Sequence, residues 1–125
     1  MLAGPDRQSL GKLGEDLACQ ELERRGYAII ARRFRTRYGE IDIVAGDGGT
    51  TVFVEVRSKT SKEHGTAVET VTRPKQLRVA RMALDYLGVT GKLDEPCRFD
   101  VVAIDGIGTD AVELRVITDA FHLDR

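Results

Sequence analysis

The 125-residue chain has no tryptophan, four Phe, three Tyr, two cysteines, two histidines and three prolines. Without tryptophan the core must rest on Val, Ile and Leu with a few Phe and Tyr. Cys19 and Cys97 stand far apart and match no metal-binding or redox spacing, so they are expected as small buried or half-buried thiols in a reducing cytoplasm. His64 and His122 are isolated, and a surface position suits both better than a catalytic one. Few prolines, with 42% hydrophobic and 31% charged residues, exclude a disordered or fibrous chain. No apolar run is long enough to span a bilayer, and Met1 to Asp6 carries neither a basic nor an apolar leader region. The expectation is a cytoplasmic protein with no membrane partner, and the length fits one domain, residues 1–125, around a single core.

Excess charge of one sign is also missing, since the net charge is −1, but this total conceals a division. From Arg24 to Arg81 there are 13 Arg and Lys against 6 Asp and Glu, a net +7, whereas Asp94 to Arg125 holds 3 basic and 8 acidic residues, a net −5. A basic middle and an acidic end make the molecule dipolar.

Leu10, Leu13, Leu17, Ala18 and Leu22 recur near the helical period, and Arg24-Arg25-Gly26 supplies a stop, which predicts a first helix. Strands are predicted over Tyr27 to Arg35, Glu40 to Ala45 and Thr51 to Lys59, the last two joined by Gly46-Asp47-Gly48-Gly49-Thr50. Thr60 to Val71 reads as a polar loop. Pro74 then opens a second helix carried by Leu77, Ala80, Arg81, Leu84 and Leu87 to Gly88, followed by strands over Arg98 to Asp105 and Val112 to Ile117. The order α-β-β-β-α-β-β predicts an α/β fold, a mixed central sheet flanked by helices.

Alternation in the third strand puts Val52, Val54 and Val56 on one face and Phe53, Glu55, Arg57 and Lys59 on the other. In the second strand Ile41, Ile43 and Ala45 share a face, with Glu40, Asp42 and Val44 opposite. A two-residue Gly48-Gly49 turn pairs residues whose numbers add up to 97, which sets Asp42 across from Glu55 and Glu40 across from Arg57. Two facing carboxylates repel unless a proton or a cation lies between them. Oxygen donors with no His or Cys nearby suit Mg²⁺ or Mn²⁺, ions that polarise phosphoryl oxygens and acidify water. Glu15 falls at the edge of the first helix's apolar stripe and is a candidate third acid, although Glu21 lies inside the same stripe.

Gly14-Glu15 with Ala18 and Gly26, then Gly39-Glu40-Ile41-Asp42, Phe53-Val54-Glu55-Val56-Arg57, Lys75-Gln76 and Phe99-Asp100-Val101-Val102 together resemble the YraN family of small bacterial proteins. The resemblance runs from about Gly11 to Phe121. That family is similar to the PD-(D/E)xK nucleases and, within them, to archaeal Holliday junction resolvases. The resemblance implies a restriction-endonuclease-like core and a metal-dependent endonuclease acting on DNA, with branched or junction DNA as the substrate class and a homodimer by analogy. It makes Asp42, Glu55 and Val56 the metal ligands and Glu15 the helix-borne acid. Arg57 occupies the motif's lysine position, a departure, because arginine cannot be deprotonated in a protein and so cannot act as a general base. Lys59, two residues on, is the candidate substitute amine.

Taken without the resemblance, Asp42 and Glu55 read as a solvated polar strand face. Arg32, Arg33, Arg35 and Arg37, with Arg73, Lys75, Arg78 and Arg81 on the second helix, read either as a solubilising surface or as a path for nucleic acid. The candidate DNA contacts are Arg33, Arg35, Arg37, Lys75, Gln76 and Arg78. Tyr38 and Phe34 are the only aromatic rings near them in sequence, which argues against a dedicated single-strand binder. Asp100 is open between a buried anchor for the fourth strand and a group supporting the site. Two alternatives of other classes stand beside the nuclease: a non-catalytic nucleic-acid-binding module, and a protein-interaction domain whose basic and acidic surfaces pair between subunits.

Overall fold

The computed structural model describes residues 7–61 and 71–122. The elements are α1 (Arg7–Arg24), β1 (Ala28–Thr36), β2 (Gly39–Asp47), β3 (Thr50–Lys59), α2 (Arg73–Val89), β4 (Cys97–Asp105) and β5 (Glu113–Ile117). The strands form one five-stranded sheet in the order β1-β2-β3-β4-β5, antiparallel except for the parallel β3–β4 pair, which α2 connects. This is the α/β architecture expected of a restriction-endonuclease-like core. Among the described residues no helix is long and apolar enough to cross a membrane.

The sheet is covered on both faces. Ala18, Cys19 and Leu22 of α1 pack on Ile43, Ala45, Val52, Val54, Val102 and Ile104. Val79, Met82, Ala83, Tyr86 and Leu87 of α2 pack on Ile41, Val44, Phe53 and Val101. The helix therefore turns a different face to the sheet than Leu77 and Leu84 suggest, which are 50% and 56% exposed, while Leu87 is buried as expected. Thr72 caps α2, its hydroxyl accepting the Lys75 N–H, and Pro74 sits where a missing N–H does no harm.

The Gly48-Gly49 turn, with Gly48 at φ +62°, closes the β2–β3 hairpin in the expected register, from Asp47↔Thr50 to Ile43↔Val54. At Asp42 that ladder has ended. Arg33, the residue of β1 level with Asp42, adopts φ +52°, and the alternation of β1 and β2 reverses there. Ile41 consequently joins Val44 under α2 and not Ile43 and Ala45 under α1, which corrects the expected shared face. Glu40 pairs with Arg35 of β1, with Arg35 Nε 2.9 Å from Glu40 Oε2, and not with Arg57. The face of β3 that carries Glu55 is not a solvated polar surface either: Phe53 and Glu55 are 1% and 2% exposed because α2 covers it.

Smaller corrections follow from tertiary packing. Cys97 is exposed at the start of β4, whereas Cys19 is buried and its thiol pKa is raised by that burial. Val71, assigned to a polar loop, is buried against α2, and Val112 precedes β5 and is 40% exposed. The remainder of that loop, with His64, lies outside the described residues. Glu21 leaves the apolar stripe for Arg24 and Arg25, whose guanidinium groups pull its carboxyl down to about 2.

Candidate active site

Where β2 leaves β3, the Asp42 side chain takes over from the ladder: its Oδ2 accepts the Val56 N–H at 2.8 Å. That contact holds the carboxylate against β3, within hydrogen-bond reach of the Glu55 carboxyl. Burial raises the pKa of both acids. Glu55 goes further, pushed up to about 8 by burial and then by the negative charge of Asp42, which favours one proton held between the two carboxyls.

One oxygen of this pair is left over. Glu55 Oε1 is buried and accepts no hydrogen bond from any described group, and Lys75 Nζ lies 3.8 Å away. A buried, unsatisfied acceptor is costly and calls for an explanation such as an ion. Asp42 and Glu55 offer hard oxygen donors with no described His or Cys among their partners, which fits a Mg²⁺- or Mn²⁺-like cation. Val56 has no side-chain donor and its N–H is spent on Asp42, so its carbonyl is all it has to offer a metal. Among the described residues no three His, Cys, Asp or Glu side chains gather closely enough to enclose an ion. The carboxylate set among the described residues is thus a pair.

Glu15 approaches from α1. The close packing of α1 at Gly14, where an added Cβ would lie 3.3 Å from Ile107 Cδ1 and 3.4 Å from Ser58 Oγ, brings it beside the sheet. Its charge contributes to raising the Asp42 pKa. Its carboxylate is held by Arg33 Nε at 2.9 Å and Arg32 at 3.6 Å. Arg57 lies near enough for its charge to work against the rise at Glu55. Lys59 is directed elsewhere: its Nζ lies 3.6 Å from Asp105 Oδ1, level with it across the parallel β3–β4 pair.

The candidate DNA contacts divide by what already holds them. Arg33 is engaged by Glu15, Arg35 by Glu40, and the Gln76 amide donates to the Val71 carbonyl at 3.0 Å. Arg37, Arg78 and Arg81 form no ion pair with a described acid, and Arg37 and Arg81 lie 5.3 and 5.4 Å from the Tyr38 ring centre. His122 is exposed, as its expected surface position requires, and lies 3.5 Å from Asp119.

Asp100 resolves as an anchor. It is fully buried and accepts from the Tyr27 hydroxyl at 2.9 Å, Arg98 Nε at 3.0 Å and the Asp119 N–H at 2.9 Å. Arg98 extends the network to Asp47 at 2.9 Å. Tyr27 belongs to the core under α1, so this network sits across the sheet from Glu55.

Lys75 is the residue whose part in the site sequence order could not assign. It arrives from the first turn of α2, 20 positions beyond Glu55, and only the packing of α2 on the sheet brings the two together.

The pattern of the uncharacterised protein family UPF0102 matches residues 14–104. A UPF0102 protein of Symbiobacterium thermophilum is 46% identical over 113 residues, covering 90% of this chain and 96% of that one. A UPF0102 protein of Geobacter sulfurreducens is 48% identical over 114 residues, 91% of this chain and 89% of the relative. A third, from Herminiimonas arsenicoxydans, is 48% identical over 99 residues, 79% of each chain. With its family pattern and relatives of this similarity running along most of its length, the chain belongs to the UPF0102 family, the YraN family that its motifs resemble.

Proposed function

We propose that this protein is a metal-dependent endonuclease that hydrolyses DNA phosphodiester bonds, with branched or junction DNA as its substrate class. The observation that carries this reading is the buried meeting of Asp42 and Glu55, two acids with raised pKa values beside an oxygen that accepts no hydrogen bond from a described group. Asp42 and Glu55 would hold Mg²⁺ or Mn²⁺, with the Val56 carbonyl as a further oxygen. When bound, such an ion supplies the charge that polarises a phosphoryl oxygen and makes water a better nucleophile.

The chain's own groups have separate tasks. Asp42 and Glu55 surrender their shared proton on loading, and the Val56 N–H keeps Asp42 oriented. Arg57 stabilises negative charge developing on the phosphate. Glu15 orients water at the α1 side of the site. Arg37, Arg78 and Arg81, with no acid to satisfy them among the described residues, neutralise backbone phosphates leading to the site, and Arg33, Arg35, Lys75 and Gln76 lie along the same path. A symmetric dimer goes with a branched junction that offers two symmetry-related strands for cleavage.

One observation favours a second reading: the motif's lysine position holds Arg57. A non-catalytic DNA-binding module would retain the fold and the basic path and show salt-sensitive binding without nicking. Titrating Mn²⁺ into the protein with labelled junction, duplex and single-stranded DNA separates the two. The nuclease reading expects metal-dependent cleavage that disappears in a folded Glu55→Ala variant; cleavage that persists in that variant rejects it.

A further inference from the structure

Resting on the nuclease reading, we propose that Lys75, delivered by the first turn of α2, is the catalytic lysine of this chain, contacting the scissile phosphate that Arg57 and Lys59 do not serve with an amine. Arg57 and Lys59 lie on β3, and Lys75 lies on the first turn of its neighbour α2. Arg57 offers no amine. Lys59 is drawn to the buried Asp105 carboxylate, 3.6 Å from its Nζ. Lys75 Nζ stands 3.8 Å from Glu55 Oε1, too long for a hydrogen bond and short enough for both to touch one intervening oxygen. That Glu55 oxygen is buried and accepts no hydrogen bond from a described group, so the gap faces a group ready to act.

The position is fixed by the start of α2. The Thr72 hydroxyl accepts the Lys75 N–H at 3.4 Å, the Thr72 carbonyl accepts the Gln76 N–H at 2.9 Å, and the Gln76 amide ties back to Val71. Val71 and Val79 are buried on either side, so this turn does not slide along the sheet. The Lys75 side chain keeps 25% of its surface open to solvent, against 3% for Glu55, which leaves an approach for phosphate from the Lys75 side.

In the step itself the oxygen of water forms the new bond to phosphorus. The bond from phosphorus to the departing deoxyribose oxygen breaks, its electron pair going to that oxygen. One proton of the water ends on the departing oxygen by way of solvent, and the hydroxyl stays on phosphorus. Lys75 takes no part in the proton transfer and donates hydrogen bonds to a non-bridging phosphoryl oxygen, where charge accumulates.

Single-turnover cleavage in Mn²⁺, on whichever labelled DNA the wild type cuts, tests this with calorimetric Mn²⁺ binding measured on the same preparations. Lys75→Met is expected to lose about 100-fold or more in the rate constant, the loss typical of removing a preorganised donor. Its Mn²⁺ affinity and thermal midpoint are expected to stay near wild type. The double variant Arg57→Lys with Lys75→Met, which returns an amine to β3, is expected to recover about tenfold of the loss, a fraction of a donor's full effect. Lys12→Met on the exposed side of α1 serves as the control and is expected to cut normally. Should Lys75→Met melt early, Lys75→Gln carries the same comparison.

A Lys75 variant that cuts at the wild-type rate overturns the proposal, as does a loss accounted for by weaker Mn²⁺ binding, or a folded double variant with no recovery. A wild type that cuts none of the DNAs overturns the nuclease reading itself and the role of Lys75 with it. Cleavage by wild type and by Lys75→Met alike removes only the lysine.

Discussion

Asp42 Oδ2 accepts the Val56 N–H at 2.8 Å, a side-chain bond at the point where the β2–β3 ladder has run out. The bond satisfies a β3 donor that the departing strand no longer reaches, and it holds a carboxylate beside Glu55 in a site from which both would otherwise be repelled. Structural and functional demands therefore fall on the same side chain, with consequences that can be measured.

Glu55→Gln isolates the cost of the acid. Glutamine keeps the shape, donates to Asp42 and cannot ionise, so the metal-free variant is expected to be more stable than wild type at pH 8 to 9, where wild-type Glu55 is ionising. Mn²⁺ stabilisation and cleavage are expected to vanish together. Urea unfolding at pH 9 with and without Mn²⁺ makes the comparison; a variant less stable than wild type without metal, or one still stabilised by Mn²⁺, would contradict it.

The raised Glu55 pKa also fixes a pH dependence. A carboxyl near 4.3 in the unfolded chain and about 8 in the fold contributes stability that is fully present below the unfolded value and lost as pH rises through the folded one. Metal-free stability is expected to fall between about pH 5 and 9 on this account, against the trend of an ordinary paired carboxylate. Because an ion must displace the shared proton, Mn²⁺ affinity is expected to rise about tenfold per pH unit and to flatten above pH 8. Calorimetry across that range reads the slope directly, and a flat profile would count against a shared proton.

The Asp100 network predicts stability effects without functional ones. Asp100→Ala leaves Arg98, a half-buried cation, without its main partner and is expected to cost about 3–5 kcal/mol. Tyr27→Phe removes one hydrogen bond to a buried carboxylate and is expected to cost about 1.5–3 kcal/mol. Neither change is expected to shift Mn²⁺ affinity at neutral pH, since the network lies on the other side of the sheet; denaturant midpoints paired with calorimetry test both halves of the statement.

Arg78→Ala is expected to weaken DNA binding uniformly across sequences and to reduce the slope of log affinity against log salt by about 1, with stability unchanged. Arg35→Ala is expected to do less, because Arg35 is already paired with Glu40. Fluorescence anisotropy at several salt concentrations distinguishes the two; equal slopes would mean that these arginines serve as a solubilising surface.

Much of this was legible in the sequence, and the limits have physical causes. The glycine turn fixed the hairpin register because a two-residue loop leaves a single way to pair, and that register brought Asp42 to Glu55. It failed for Ile41 and Glu40, where Arg33 at φ +52° reverses the alternation, since nothing in an arginine announces a left-handed backbone. Leu77 and Leu84 of α2 misled because Val79, Met82, Ala83 and Tyr86 offer a second apolar face, and the sheet decides which one is buried. Lys75 and the Tyr27–Asp100 contact, which spans 73 positions, depend on tertiary packing that no local pattern encodes.

The central claim, that Asp42 and Glu55 share one cation, is tested most directly by anomalous diffraction from a crystal soaked in Mn²⁺ at pH 8. The account predicts one anomalous peak in contact with both carboxylates, absent from a Glu55→Gln crystal treated identically. A peak bound elsewhere, or none at this pair under a concentration that supports cleavage, would contradict it.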